Sequence, residues 1–427
     1  MVRRLALALA AAWLVLAAIV LGRFADEALP ATYLVRPLAL ELGVAFGIGA
    51  GSLIARGHAV AVAAGAAVLV ALPEPVLVLT LVGVLIGAEL LRRAGRMRAD
   101  SQRPVLVLVG VFFSLGLIRA LSVIDLPSNV GYSAVSGGPP MYVVLLDGYP
   151  RIDTLAELGI DNSSFVNALE ERGFDHYPQA MSSHTKTHKT LLAMLTDEVV
   201  TDDPVTIEAR RGIRERLVVP PGFVAVDPPI GFVTLGPGPH IDPGGSNDFE
   251  GQLLAQSVVG VMAPDLAWAA LAQGLRERID ASLDVLVASP ELRIFVHLVA
   301  PHPPFLYEAD GSAGTTRQCW PECALFANSI EDRGTTRESW ASSMTGNVKA
   351  LNARVLAAVD RLIAAHPDAV IVLFSDHGGR ISEAERDEWH RSFLAARTPG
   401  HPGVFADAPR PDTIIRTLLA TYESGTP

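Results

Sequence analysis

Cysteine and charge are both scarce in this chain. Its 427 residues include two cysteines, Cys319 and Cys323, close together in CWPEC. Two thiols are too few for a thiolate metal site, and no partner for a catalytic thiol is identifiable, so the pair reads as a small disulfide closing a loop. Charged residues make up 19% of the chain and hydrophobic ones 50%, with a mean hydropathy of +0.35. That balance is too apolar for a wholly soluble protein and leads us to expect a membrane part. Basic residues are the minority, 34 Lys and Arg against 45 Asp and Glu, for a formal net charge of -11. No nucleic-acid partner is expected from such a balance.

The apolar excess lies before about residue 125 and resolves into runs at 5–22, 33–55, 58–72, 75–91 and 104–124. Most approach the roughly 20 residues a bilayer needs. The expectation is therefore an N-terminal transmembrane α-helical bundle of about five spans over residues 1–125, with four spans as the alternative because the third run is short and rich in Ala and Gly. Arg3 and Arg4, then Arg56, then Arg92, Arg93, Arg96, Arg98 and Arg103 precede the first, third and fifth runs. Five spans would place all three groups in the cytoplasm. The same count predicts an integral protein of the cell (plasma) membrane, multi-pass, with its N-terminus cytoplasmic and everything after the fifth span extracytoplasmic. The first run also has the basic start and apolar core of a signal peptide, although no small-residue cleavage site follows Gly22. Residues 126–140, rich in Ser, Gly and Pro, read as a linker.

From Met141 onward the composition is that of a globular domain, 141–427. Three short apolar runs end on chemistry-bearing residues: MYVVLLDGYPR presents Asp147, LRIFVHLVAPHPPF carries His297 within it and His302 just past it, and AVIVLFSDHGGR presents Asp376 and His377. Unbroken β-branched and apolar runs closed by glycine or proline read as buried parallel strands, and ligands of open α/β sheets sit beyond the carboxyl ends of such strands. An Asp and a His side by side at that place suggest a metal site. Asp147 read alone is a ligand or the start of a turn, and His297 a core histidine or a supporting partner. Helical spacing over 163–172 and 347–365 and across 264–286 supplies the alternating helices, and a short strand is expected near 174–177. The polar loop SSHTKTHKT runs into LLAMLT, so a helix starts at about Thr187. Thr187 is there either a helix cap or a nucleophile whose alkoxide the helix start would favour. Residues 201–290 contain short strands, long loops and an isolated loop histidine, His240.

The motifs LLDGYPR, Thr187 before LLAMLT, HLVAPHPPF and SDHGG, in this order, resemble the alkaline phosphatase superfamily in its sulfatase-like branch. With an apolar N-terminal part, the chain looks most like the bacterial membrane-anchored phosphoglycerol and phosphoethanolamine transferases, including lipoteichoic acid synthases. The resemblance implies an α/β domain with a mostly parallel central sheet flanked by helices. It implies that Asp147, Thr187, Asp376 and His377 surround one divalent metal ion (Mn, Zn or Mg), that Thr187 is phosphorylated in turn, and that His302 meets the substrate's phosphate. His297 and Lys189 are further substrate-binding candidates. Relatives with two zinc ions carry an Asp and a His in a second cluster; here the matching turn offers His302, with His390 and His401 as remaining candidates, so a single ion is expected. Formylglycine sulfatases need Cys or Ser at the nucleophile, then Pro and Arg, whereas Thr187 is followed by His188, Lys189 and Thr190. The expected activity is phosphotransfer or phosphoester hydrolysis on a membrane lipid head group or an envelope glycan. A sulfuric ester hydrolase and a catalytically silent envelope scaffold or binding protein are the competing readings.

Overall fold

A computed structural model describes residues 2–27, 31–52, 110, 113–114, 117–118, 138–196, 215–308, 310–314, 320, 336–380, 383–405 and 408–423. They fall into two compact units, one of residues 1–126 with 249–268, the other of 127–248 with 269–427.

In the first unit, helices Val2–Glu27 and Val35–Ser52 pack together. Ala8, Ala11, Ala12, Val15, Leu16 and Ile19 are buried along one stripe of the first helix and cluster with Ala45 of the second. Spacings of three and four residues make this a helix-to-helix seam. Near the ends of these helices, Val20, Leu21, Phe24, Tyr33 and Leu34 close over Phe249.

These findings correct the membrane expectation. Among the described residues no helix is long and apolar enough to cross a membrane. The five-span bundle, the integral-membrane standing and the multi-pass plasma-membrane location are therefore not supported. An apolar run reports that side chains avoid water; it does not say whether lipid or protein replaces the water. Here the stripe through Ala8 and Ile19 is covered by protein, and the second helix carries Arg36, which pairs with Glu250 at 3.4 Å. The runs at 58–72 and 75–91 and most of 104–124 lie outside the described residues, as do Cys319 and Cys323 and most of the 126–140 linker.

The second unit is built on a seven-stranded sheet: β1 Met141–Leu146, β2 Asp175–His176, β3 Val224–Val226, β4 His240–Ile241, β5 Arg293–Leu298, β6 Val370–Phe374 and β7 Leu394–Arg397. Their order is β2-β7-β6-β1-β5-β3-β4. The five strands from β6 to β4 are parallel, and β7 and β2 close one edge antiparallel. β1, β5 and β6 are buried on both faces, which is why their sequences show no polar alternation. One face packs Val143, Leu145, Val372 and Phe374 against Leu191, Leu192 and Met194 of helix Thr187–Thr196 and Ile415 and Leu418 of helix Ile414–Glu423. Two long helices, Pro264–Ala288 and Arg337–Ala365, are tied by Arg354 to Asp280 at 2.7 Å and Arg361 to Asp284 at 3.1 Å.

This topology fixes the site. β1 lies centrally with β5 and β6 as its two neighbours, in register Val144 to Val296 and Val144 to Leu373. The residues that leave these three adjacent parallel strands at their carboxyl ends must converge.

Candidate metal centre

Asp147 follows β1 directly. Its backbone N–H donates to the Leu298 carbonyl at 2.9 Å, and its own carbonyl accepts from the His302 N–H at 3.0 Å, so the β1–β5 ladder continues into the loop that carries His302. Asp376 and His377 follow β6 after Ser375. All three chemistry-bearing strand ends meet here: Asp147, His302, Asp376 and His377 are each at most 8% exposed. Among the described residues, Asp147, His302 and His377 form the one cluster of three metal-capable side chains, each offering an atom within 4.8 Å of the others. Asp376 joins it, with Oδ2 3.2 Å from Nε2 of His377.

The hydrogen bonds point the ligand atoms inward. His377 Nδ1 sits 2.7 Å from the Gly378 carbonyl and His302 Nδ1 2.6 Å from the Pro303 carbonyl, so each ring donates from Nδ1 and turns Nε2 into the cluster. Asp147 Oδ2 accepts from His297 Nε2 at 2.9 Å, and Asp376 Oδ1 accepts from the Gly148 N–H at 3.1 Å. The other oxygens, Asp147 Oδ1 and Asp376 Oδ2, are buried without a hydrogen-bond partner. Two orphaned carboxylate oxygens facing two imidazole nitrogens are costly to bury unless a cation meets them. The donor set of oxygen and nitrogen suits Zn, Mn or Mg, and the cluster can coordinate a divalent ion.

Protonation agrees. Burial, joined by the charge of Arg380, lowers His377 to about 3, and burial lowers His302 as well, so both rings are neutral at pH 7; Nε2 of His377 accepts from Arg380 Nη2 at 2.8 Å, a contact that an ion on that nitrogen would displace. Burial raises Asp147, but His302, His297 and His377 outweigh it and hold the carboxyl below the usual range. Asp376 is raised, first by burial and then by the charge of Asp147. Two carboxylates in one dry pocket cannot both ionise cheaply without a cation.

Glycine makes the approach possible. Gly148 has φ +62°, and a Cβ there would stand 3.2 Å from His377 Cε1 and 3.3 Å from His302 Cδ2. A side chain at that position would push the imidazoles apart.

Thr187 opens its helix as the sequence implies, and its hydroxyl is hydrogen-bonded to the Asp376 carboxyl. Thr190, one turn on, donates to the Asp376 backbone carbonyl at 3.0 Å and so ties the helix to the end of β6. Lys189 is buried on the same helix, and burial lowers the neighbouring His188 to about 4. His297 lies within β5 and spends Nε2 on Asp147. His390 directs Nδ1 to the Ser182 carbonyl at 2.8 Å, His401 packs its ring on Tyr422, and His240 pairs with Asp227. None of these three joins the cluster.

The structure adds a residue the sequence reading passed over. Arg380, three residues after His377, is 6% exposed and places Nη2 2.8 Å from His377 Nε2. It is the one non-glycine residue with positive φ among those described, at 50°. Glu388, also buried, acts on it electrostatically. The only sequence signal was its place immediately after the double glycine.

No protein-family model matches the chain, and no curated protein matches it in sequence. Solved structures do. The chain is similar in structure to phosphoethanolamine transferases. Lipooligosaccharide phosphoethanolamine transferase A (EptA) of Neisseria meningitidis is 15% identical, with 92% of this chain and 76% of that one covered and a TM-score of 0.37. The C-terminal periplasmic domain of EptC from Escherichia coli, in complex with Zn, is 17% identical over 69% of this chain and 85% of that one, TM-score 0.40. The phosphonate monoester hydrolase of Agrobacterium radiobacter is 16% identical over 68% and 78%, TM-score 0.34. Likeness this loose transfers no residue's role, and the chemistry rests on the side chains described above.

Proposed function

We propose that this chain is a metal-dependent phosphoryl-transfer enzyme that uses Thr187 as its nucleophile. The observation that carries the reading is the hydrogen bond between the Thr187 hydroxyl and Asp376 at the edge of a buried, metal-capable cluster. Asp147, His302, Asp376 and His377 would hold one divalent ion. When bound, such an ion lowers the pKa of a nearby hydroxyl and stabilises charge on a phosphoryl oxygen.

The chain's own groups supply the rest. The Asp376 carboxyl takes the Thr187 proton through the hydrogen bond they share. The Thr187 oxygen then bonds to phosphorus as the bond from phosphorus to the leaving alcohol breaks, and the alkoxide takes a proton from solvent. A second oxygen nucleophile, water or an acceptor hydroxyl, releases the phosphoryl group from Thr187. His297 keeps Asp147 oriented, and the positive dipole end of helix Thr187–Thr196 favours the negative charge that develops there. The substrate class is a phosphoester, and the motif resemblance favours a lipid head group or an envelope glycan.

Thr187→Ala separates this reading from a silent scaffold. The variant is expected to keep one divalent ion per chain by elemental analysis and to lose hydrolysis of bis(p-nitrophenyl) phosphate by about 10²- to 10⁴-fold. Unchanged turnover in that variant, or a wild-type protein that binds no divalent ion, would overturn it.

A further inference from the structure

We infer that Asn347 is a positioning residue of the metal centre: its side-chain amide holds the loop that carries His302 and thereby sets how tightly the ion is bound. This inference rests on the metal-dependent reading of the same site.

The loop cannot hold itself. His302 leaves β5 in the run PHPPF, and Pro301, Pro303 and Pro304 have no N–H to give to a neighbouring strand. On one side the loop is tied to the end of β1, where the His302 N–H donates to the Asp147 carbonyl at 3.0 Å. Past Pro304, Phe305, Leu306 and Tyr307 are buried, and buried backbone groups need partners. Asn347, 1% exposed on helix Arg337–Ala365, supplies them. Its Oδ1 accepts from the Leu306 N–H at 2.9 Å, and its Nδ2 donates to the Tyr307 carbonyl at 3.4 Å and to the Ser343 carbonyl of its own helix at 2.9 Å. One amide joins the ligand loop to the helix.

The surrounding contacts keep that amide in place. Trp340, Asn347 and Arg354 are spaced by seven residues, about two helical turns, so they form one stripe along the loop. Trp340 meets Phe305 edge-on with ring centroids 4.9 Å apart, and the Arg354 guanidinium lies 4.5 Å from the centre of the Tyr307 ring. Between them, a Cβ on Gly346 would overlap the Tyr307 and Glu308 carbonyls, so the helix presses directly on the loop backbone. The same helix is tied to the other ligand loop. Asn352 accepts from the Tyr149 hydroxyl at 2.7 Å and donates to Asn162 at 2.7 Å, and Asn162 donates back to that hydroxyl at 2.8 Å. Tyr149 stands two residues after Asp147, so side chains of one helix hold the loops of both Asp147 and His302.

Metal binding is sensitive to such placement, because ligand distances are tolerated only to about 0.2 Å. Removing the amide leaves the buried Leu306 N–H without its acceptor and lets His302 drift from Asp147 and His377.

The test uses full-length protein loaded with Co, whose visible absorption reports its ligand set, and compares wild type, Asn347→Leu, His302→Ala and the double variant. Calorimetry gives Co affinity and circular dichroism checks folding and Tm. Asn347→Leu is expected to bind Co about 10- to 100-fold more weakly, with its absorption displaced toward that of His302→Ala. In the His302→Ala background the same substitution should cost no further affinity, because the two residues act through one ligand. A lowered Tm with wild-type Co affinity and absorption, or an equal loss of affinity with and without His302, would make Asn347 a purely structural residue and overturn the inference. Should Asn347→Leu fail to fold, Asn347→Ser, which withdraws the amide and leaves a small polar group, decides by the same readouts. A wild-type protein that takes up no divalent ion would fail the metal-dependent reading itself, before any Asn347 variant is compared.

Discussion

Asp147 is the residue on which the cluster turns. It accepts from His297 with one oxygen and turns the other, unpartnered, toward His302 and His377. Asp147→Asn replaces the anionic donor with a neutral amide of the same size, so we expect divalent-metal affinity to fall at least about 100-fold by calorimetry while the fold stays intact. Metal affinity equal to wild type would place the ion elsewhere. The imidazoles make a separate prediction about pH. In the folded, metal-free protein, burial keeps His188 near 4 and His377 near 3, and lowers His302 too, while the unfolded chain's imidazoles take up protons near the ordinary value of about 6.5. The unfolded state then binds more protons below about pH 6.5, and each such group costs roughly 2 kcal/mol of stability by pH 5. Asp376 works the other way: raised to about 6, it gains a proton in the folded state first and adds stability as pH falls through that value. Three groups outweigh one, so Tm in the presence of a chelator should drop from pH 7 to pH 5. A Tm that holds or rises would mean the rings are not buried in their neutral form.

Strands and turns set the next scale. β1, β5 and β6 were legible in the sequence because a strand buried on both faces needs a continuous apolar run, and Asp147, His302, Asp376 and His377 were legible because they stand where those runs stop. β2, Asp175–His176, falls inside the short strand expected near 174–177. β7 was not legible: Leu394–Arg397 is half alanine and exists as a strand through pairing with β6 on one side and β2 on the other. Helix Arg337–Ala365 begins ten residues before its apolar face announces it, at a Thr336 cap whose side chain accepts from the Ser339 N–H. The turn at Gly378 is clamped to the Glu383–His390 helix, a contact no local pattern reveals. That clamp is testable through Gly378→Ala. The added Cβ meets the Glu388 carbonyl within 2.2 Å, so the turn must shift, and we expect a loss of about 2–3 kcal/mol in denaturant unfolding together with weaker metal binding. Wild-type stability and affinity would show that the turn yields without cost.

Over the whole molecule, the apolar N-terminal runs announced that many side chains avoid water, but not what covers them. In the first unit the cover is protein, and it includes Phe249, a residue far along the chain that stacks edge-on to Phe24 with ring centroids 5.9 Å apart and is 1% exposed. Because 249–268 belongs to the first unit, a truncated chain beginning at residue 138 would strip that cover. Such a chain should aggregate, and Phe249→Ser should improve its solubility; a well-behaved truncation without that change would show that Phe249 finds other cover. The central claim, that a metal held by Asp147, His302, Asp376 and His377 activates Thr187, concerns one covalent bond. Its most direct test is to quench metal-loaded full-length protein during turnover of a phosphodiester and map the modified peptide by mass spectrometry. The account predicts a phosphoryl group on Thr187 in the wild type and none in Asp147→Asn. Phosphate on a different residue, or steady turnover with Thr187 never modified, would contradict it.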